Sequence, residues 1–130
     1  MRLTTTALIL GLTATAAAAK APLRDVPEID NPMFSVAMAL EISNKCSDIS
    51  PRTIKGVAFL WDLASKAKSM GYTKAEIDDY RKSEAEKARM RAKGEAYMRT
   101  KGLDPKKTED LCKLGQMEMA ANSQIGAFLK

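Results

Sequence analysis

The 130 residues contain no histidine and only two cysteines. Without an imidazole, serine triads, Cys–His dyads and His-ligated zinc are excluded. Aromatic residues make up only 5%, and there are three valines. That scarcity, with no alternating polar–apolar stretch, argues against a sheet. The chain also lacks a Gly-rich phosphate loop and a GxSxG nucleophile motif. A calcium loop needs alternating oxygen donors around a central glycine, and none is present.

What remains is 45% hydrophobic and 28% charged. That is enough apolar content for one globular domain and too much for a disordered chain. An interior rich in alanine and methionine points to helix–helix packing.

Residues 1–19 read as a secretory signal peptide. Arg2 is the positive start, an apolar run begins at Ala7, and Ala17 to Ala19 offer the small-residue cleavage site. The run is too short and too alanine-rich for a membrane span. No span is expected once it is removed, and the remaining chain is expected in the periplasm or secreted. An even cysteine count in an oxidising compartment favours a disulfide, and Cys46 with Cys112 is the one intramolecular pairing available.

Residues 20–30, with Pro22 and Pro27, read as an extended N-terminal arm, and 31–130 as the helical domain. A first helix is predicted over 32–45, capped by Asp30 or Asn31 with Pro32 near its first position. Ser50-Pro51 starts a second over 51–70. As the most apolar segment it is expected at the bundle's centre, with Trp61 in the core. Thr73 and Glu76 form a capping-box pattern that opens a third helix, running to about Lys101. A second box pattern, Ser83 with Glu86, leaves open one long helix or a kinked pair. Asp104-Pro105 starts a fourth over 105–128, where Gly115 and Gly126 would let another helix approach closely. Tyr72 and Tyr80 are expected to pack at helix junctions. The fold expected is all-α: a small bundle of about four helices. One disulfide would join the end of the first helix to the first turns of the fourth.

Charge is concentrated in one place. Between residues 81 and 101 there are eight basic residues and three acids, a net +5 equal to that of the entire chain. Lys87, Arg89, Arg91, Lys93, Tyr97 and Arg99 are candidates for a surface that holds an anionic protein or envelope surface. A solvated helix face is the plainer alternative, because Glu84–Lys87, Glu86–Arg89 and Glu95–Arg99 stand at ion-pair spacing. Nucleic acid is not expected as a partner of an exported protein.

Two other clusters attract attention. Met117-Glu118-Met119 resembles a thioether copper motif. Residues two apart on a helix diverge by ~200°, so these methionines read as core filler. Glu76, Asp78 and Asp79 read as acids complementing a helix N-terminus. No cofactor or metal is expected.

Five stretches carry a family likeness: Pro22 to Phe34, Cys46 to Ser50, Gly71 to Ile77, Glu86 to Tyr97, and Cys112 with Ser123 to Gly126. Through them the chain resembles a family of small exported alphaproteobacterial helical proteins known only as a domain of unknown function. The resemblance implies periplasmic or secreted placement and the Cys46–Cys112 pairing. It implies no activity. The function expected is therefore a non-enzymatic binding or structural module using the 81–101 helix, with a periplasmic stress chaperone as the alternative.

Overall fold

A short 3-10 turn at Leu23–Asp25 leads into the longest helix, α1, Pro27–Lys45. The computed structural model describes residues 19–130, so the signal-peptide reading lies outside the described residues except for Ala19. The N-terminal arm is shorter than expected, because Pro27 rather than Pro32 takes the first helical turn. A missing N–H costs nothing there. The N–H groups of Ile29 and Asp30 both reach the Val26 carbonyl, at 2.9 and 2.8 Å. Asp30 is therefore not a cap; it sits inside α1 and is buried.

The second helix, α2, is Thr53–Ser69. It begins later than Ser50-Pro51 suggested because the C-terminus claims that segment. Ser50 and Lys130 exchange backbone hydrogen bonds of 2.7 and 2.9 Å, and the Arg52 N–H reaches the Phe128 carbonyl at 2.7 Å. Pro51, bridged to Leu129, has no N–H to offer, and its neighbours supply the donors.

The expected third helix is two: α3, Lys74–Lys82, and α4, Glu84–Thr100. Ser83 between them is extended, with ψ 127°, and ends one helix while capping the next. The Thr73–Glu76 capping box is complete. At Ser83 only half a box forms: its hydroxyl accepts the Glu86 N–H at 3.3 Å, while the Glu86 carboxylate turns elsewhere.

The last helix, α5, is Thr108–Ala120 and is followed by a 3-10 turn at Gly126–Phe128. The Asp104-Pro105 signal marks a turn instead of a helix start. Asp104 accepts the Lys106 N–H at 2.9 Å, and Asp110 accepts the Asp104 N–H at 2.7 Å. The helix stops short of 128 because Asn122 adopts φ 50°, and the Ser123 N–H returns to the Glu118 carbonyl at 3.1 Å. This left-handed C-terminal lock also closes α2 and α4, where Gly71 (φ 94°) and Gly102 (φ 73°) take the strained position.

The chain is all-α apart from the single bridge, with five α-helices among the described residues. Its centre is α1, which packs against α2, α4 and α5 and buries Ile29, Val36, Met38, Ala39 and Ile42. Ile42, Leu114 and Leu129 are the most deeply buried side chains. α5 lies close because a Cβ at Gly115 would stand 2.7 Å from both Ile42 and Ile49. Cys46 and Cys112 are disulfide-bonded, joining the end of α1 to the second turn of α5.

α2 is not the centre. It packs inward through Leu63 and Ala67, with Phe59 and Leu60 half-buried. Its apolar residues span more of the helix than its inner face, and the described residues leave the outer part uncovered. Ile54 is 89%, Val57 50% and Trp61 74% exposed, which overturns the expectation of a core tryptophan.

Candidate functional site

Two carboxylates buried at helix crossings organise the charge of α4. Asp30, on α1, accepts the Tyr80 hydroxyl at 2.7 Å, the Lys93 ammonium at 3.0 Å and the Arg89 guanidinium through both terminal nitrogens. Glu86 receives the Arg89 Nε at 2.7 Å and pairs with Arg24 through its other oxygen. This hub ties the N-terminal turn, α1, α3 and α4 together. A buried charge is tolerable only when its lone pairs are occupied. Among the described residues no buried side-chain oxygen or nitrogen lacks a partner.

Burial pushes the Asp30 carboxyl up, but hydrogen bonds from Arg89, Tyr80 and Lys93 outweigh it and hold the acid below its ordinary range. Tyr80 is shifted upward, first by burial and then by its bond to the Asp30 carboxylate. The same carboxylate, opposed by burial and aided by Glu86, raises Arg89.

Beside the hub an open groove of about 510 Å³ runs between α1 and α4. Met33, Val36 and Met38 line it from α1, and Met90, Gly94 and Met98 from α4. Its width depends on Gly94, where a Cβ would stand 2.5 Å from the Met38 sulfur. The volume is that of a small-ligand site, and methionine walls adapt to varied apolar shapes. Four cations line it, Lys45, Arg81, Lys87 and Arg91, together with three acids, Glu41, Glu86 and Glu95. The first three cations are held by Glu41, Asp78 and Glu84 respectively. Among the described residues Arg91 makes no ion pair.

The six candidate residues are thus divided by the turn of the helix. Lys87 and Arg91 stand at the groove. Arg89 and Lys93 turn toward Asp30. Tyr97 donates to the buried Glu118 at 2.5 Å and meets the Phe34 ring edge-on at 5.9 Å. Burial and then that bond push its phenol up to about 12. Arg99 pairs with Glu95 at 3.2 Å.

Asp30 and Glu86 were not among the candidates, although a signal existed. Glu86 stands four, eight and twelve residues from Met90, Gly94 and Met98, which share its buried row. Asp30 stands three and four residues before Met33 and Phe34, on the apolar side of α1. An acid in an apolar row needs a cation opposite. Tyr72 and Tyr80 do pack at junctions; Tyr72 is buried and bonds the Ala21 carbonyl at 2.5 Å.

The remaining clusters hold themselves together. Lys20 holds Glu76 at 2.9 Å and, ahead of the backbone bond from Thr73, keeps its carboxyl below the usual range. Lys74 does the same to Asp78. Glu118 is buried between an exposed Met117 and a half-buried Met119. Among the described residues no three His, Cys, Asp or Glu side chains gather as metal ligands, and no helix is long and apolar enough to cross a membrane.

An all-α domain with one long-range disulfide and an open apolar groove is the class that these features define. The chain belongs to DUF5333, a family of unknown function, which it matches over residues 21–130. No curated protein and no solved structure matches it.

Proposed function

We propose that the chain is a non-enzymatic binding protein of an oxidising, extracytoplasmic compartment. Its groove between α1 and α4 takes an amphipathic anion, an apolar tail ending in a carboxylate or phosphate. The observation that carries this reading is Arg91: a cation without an ion pair among the described residues, beside a methionine-lined groove. The tail would lie along Met33, Met38, Met90 and Met98. The head would meet Arg91, with Lys87 one turn away. This narrows the anionic-partner reading of the 81–101 helix from six residues to two.

The Cys46–Cys112 disulfide supports the compartment, since such bonds persist where thiols are oxidised. A binding role is favoured over catalysis because Asp30, Tyr80 and Arg89, whose protonation is shifted, occupy one another's hydrogen-bonding capacity. Tyr80 reaches the groove wall, but its hydroxyl already donates to Asp30.

Methyl NMR of the methionines tests the proposal. Titration with a medium-chain acyl carboxylate should shift the Met33, Met38, Met90 and Met98 methyls together. The matching acyl alcohol should bind at least about tenfold more weakly, the order of a charge-assisted hydrogen bond. Arg91→Gln should remove that preference. Unmoved methyls, or equal binding of acid and alcohol, would defeat it.

A further inference from the structure

The side of α2 that faces away from α1 carries Ile54, Val57, Ala58 and Trp61, spaced as one helical stripe and all exposed. Large apolar side chains are normally exposed singly; a contiguous set marks a contact surface. The stripe is a ridge on a convex helix, and its inner neighbours Leu63 and Ala67 are already buried in the core.

The charges around it say what it meets. Between residues 52 and 70 stand four cations, Arg52, Lys55, Lys66 and Lys68, and one acid, Asp62. None of the four cations forms an ion pair among the described residues. Lys55 and Lys66 flank the ridge on one side with Asp62 among them, and Lys68 continues it one turn beyond Ser65. A second copy of this face would bring like charges together. An anionic lipid surface attracts them, and a fluid interface accepts a convex ridge without a matching pocket. Tryptophan favours that interface because its ring is apolar and its N–H can stay wet, and lysine stems extend to keep their ammonium groups among the head groups.

We infer that α2 docks the protein on an anionic lipid surface, with Ile54, Val57 and Trp61 entering the interface and Lys55, Lys66 and Lys68 meeting the head groups. The docking face is separate from the groove, so the inference stands or falls independently of the ligand proposed above.

Trp61 is the chain's one tryptophan and reports on this face alone. The full chain is mixed with vesicles of phosphatidylglycerol and phosphatidylcholine, and in parallel with vesicles of phosphatidylcholine only. On the anionic vesicles Trp61 emission should shift to the blue and become shielded from an aqueous quencher. Ile54→Asp should abolish both effects. Lys55→Gln and Lys68→Gln should each lower vesicle affinity about fivefold. These positions are exposed, and unchanged circular dichroism of each variant certifies the fold. An unresponsive Trp61 overturns the inference. So does a response that is equal on neutral vesicles, or one that survives Ile54→Asp. Shielding that instead follows protein concentration without lipid would assign the face to a second copy. Shielding by unfolded client protein but not by vesicles would assign it to a chaperone role. Either result overturns lipid docking.

Discussion

Arg89 on α4 grips the buried carboxylate of Asp30 on α1 with both terminal guanidinium nitrogens, across 59 residues of chain. The same Arg89 uses its Nε on Glu86, so one cation serves two buried acids. Removing one member of such a set leaves the others desolvated without compensation. Asp30→Asn should lower stability by about 3 kcal/mol, the low end for breaking a buried pair, since Arg89 and Lys93 retain some access to water. Asp30→Leu combined with Arg89→Met should cost less than the sum of the two single changes. Urea unfolding with the disulfide intact measures all four corners of that cycle.

The hub also makes stability depend on acid. The folded Asp30 carboxyl titrates below its unfolded value of about 4. Between the two values the unfolded chain binds more protons, so stability rises with pH there. The contribution is complete at neutral pH and is lost as pH falls through the folded value. Asp30→Asn should flatten the acid limb of a stability–pH curve. An unchanged limb would show that other carboxylates carry it.

At the alkaline end the sign reverses. The folded Tyr97 phenol titrates near 12, pushed up by burial and then by its bond to Glu118. An unfolded tyrosine loses its proton near 10, so the folded chain holds the proton more tightly between about 10 and 12. The stability that this provides is complete below about pH 10 and disappears as pH rises through 12. Tyr97→Phe should lessen that slope, read from the thermal midpoint across the range, and leave the part that Tyr80 carries. It should also delete the step near 12 from the tyrosinate absorbance titration and leave the later step of Tyr80, which is shifted further up.

The Cys46–Cys112 bond closes a separation of 66 residues. Replacing both cysteines with alanine should cost about 4 kcal/mol if loop-closure entropy dominates. A reductant should lower the thermal midpoint of the natural chain to about that of the double variant and leave the variant's own midpoint unmoved. A much smaller difference would mean that the unfolded chain is already compact around α1 and α5.

The all-helical class, the disulfide and the Thr73–Glu76 cap were legible because each rests on local chemistry: periodicity, an even cysteine count, a four-residue motif. Local signals and structure part where distant chain intervenes. Ser50-Pro51 has every local feature of a helix start, but residues 128–130 pair with it and postpone α2 to Thr53. Asp30 looks like a cap until Tyr80, Arg89 and Lys93 close over it from 50 and more residues away. α2 looked central because hydrophobicity counts apolar residues and does not say which side is covered. Trp61 lies on the uncovered side. The concentration of cations on α4 was readable. The division of its cations between Asp30 and the groove was not, since it depends on how α1 crosses α4. Asn122, by contrast, is a local stop signal, since asparagine tolerates the left-handed conformation that ends α5.

The glycines that let helices approach provide a graded test of packing. At Gly126 a Cβ would stand 2.2 Å from the Glu118 carbonyl oxygen, which is backbone and cannot swing aside. At Gly115 the obstacles are Ile42 and Ile49 at 2.7 Å, branched side chains inside the core, and Ile42 is fully buried. At Gly94 the obstacle is the Met38 sulfur at 2.5 Å, on a chain with several rotatable bonds and the groove beside it. Overpacking costs about 1–3 kcal/mol, while alanine in a helix regains about 1 kcal/mol over glycine. Gly94→Ala should therefore be close to neutral in urea unfolding. Gly115→Ala should lose about 1–2 kcal/mol net, and Gly126→Ala, outside the α-helices and without that gain, about 3 kcal/mol or more. Gly94→Ala should still show itself elsewhere: the displaced Met38 fills part of the groove, so acyl carboxylate affinity falls although stability does not. Equal stability losses at all three sites would mean that the helices shift as units, and that no single contact limits their approach.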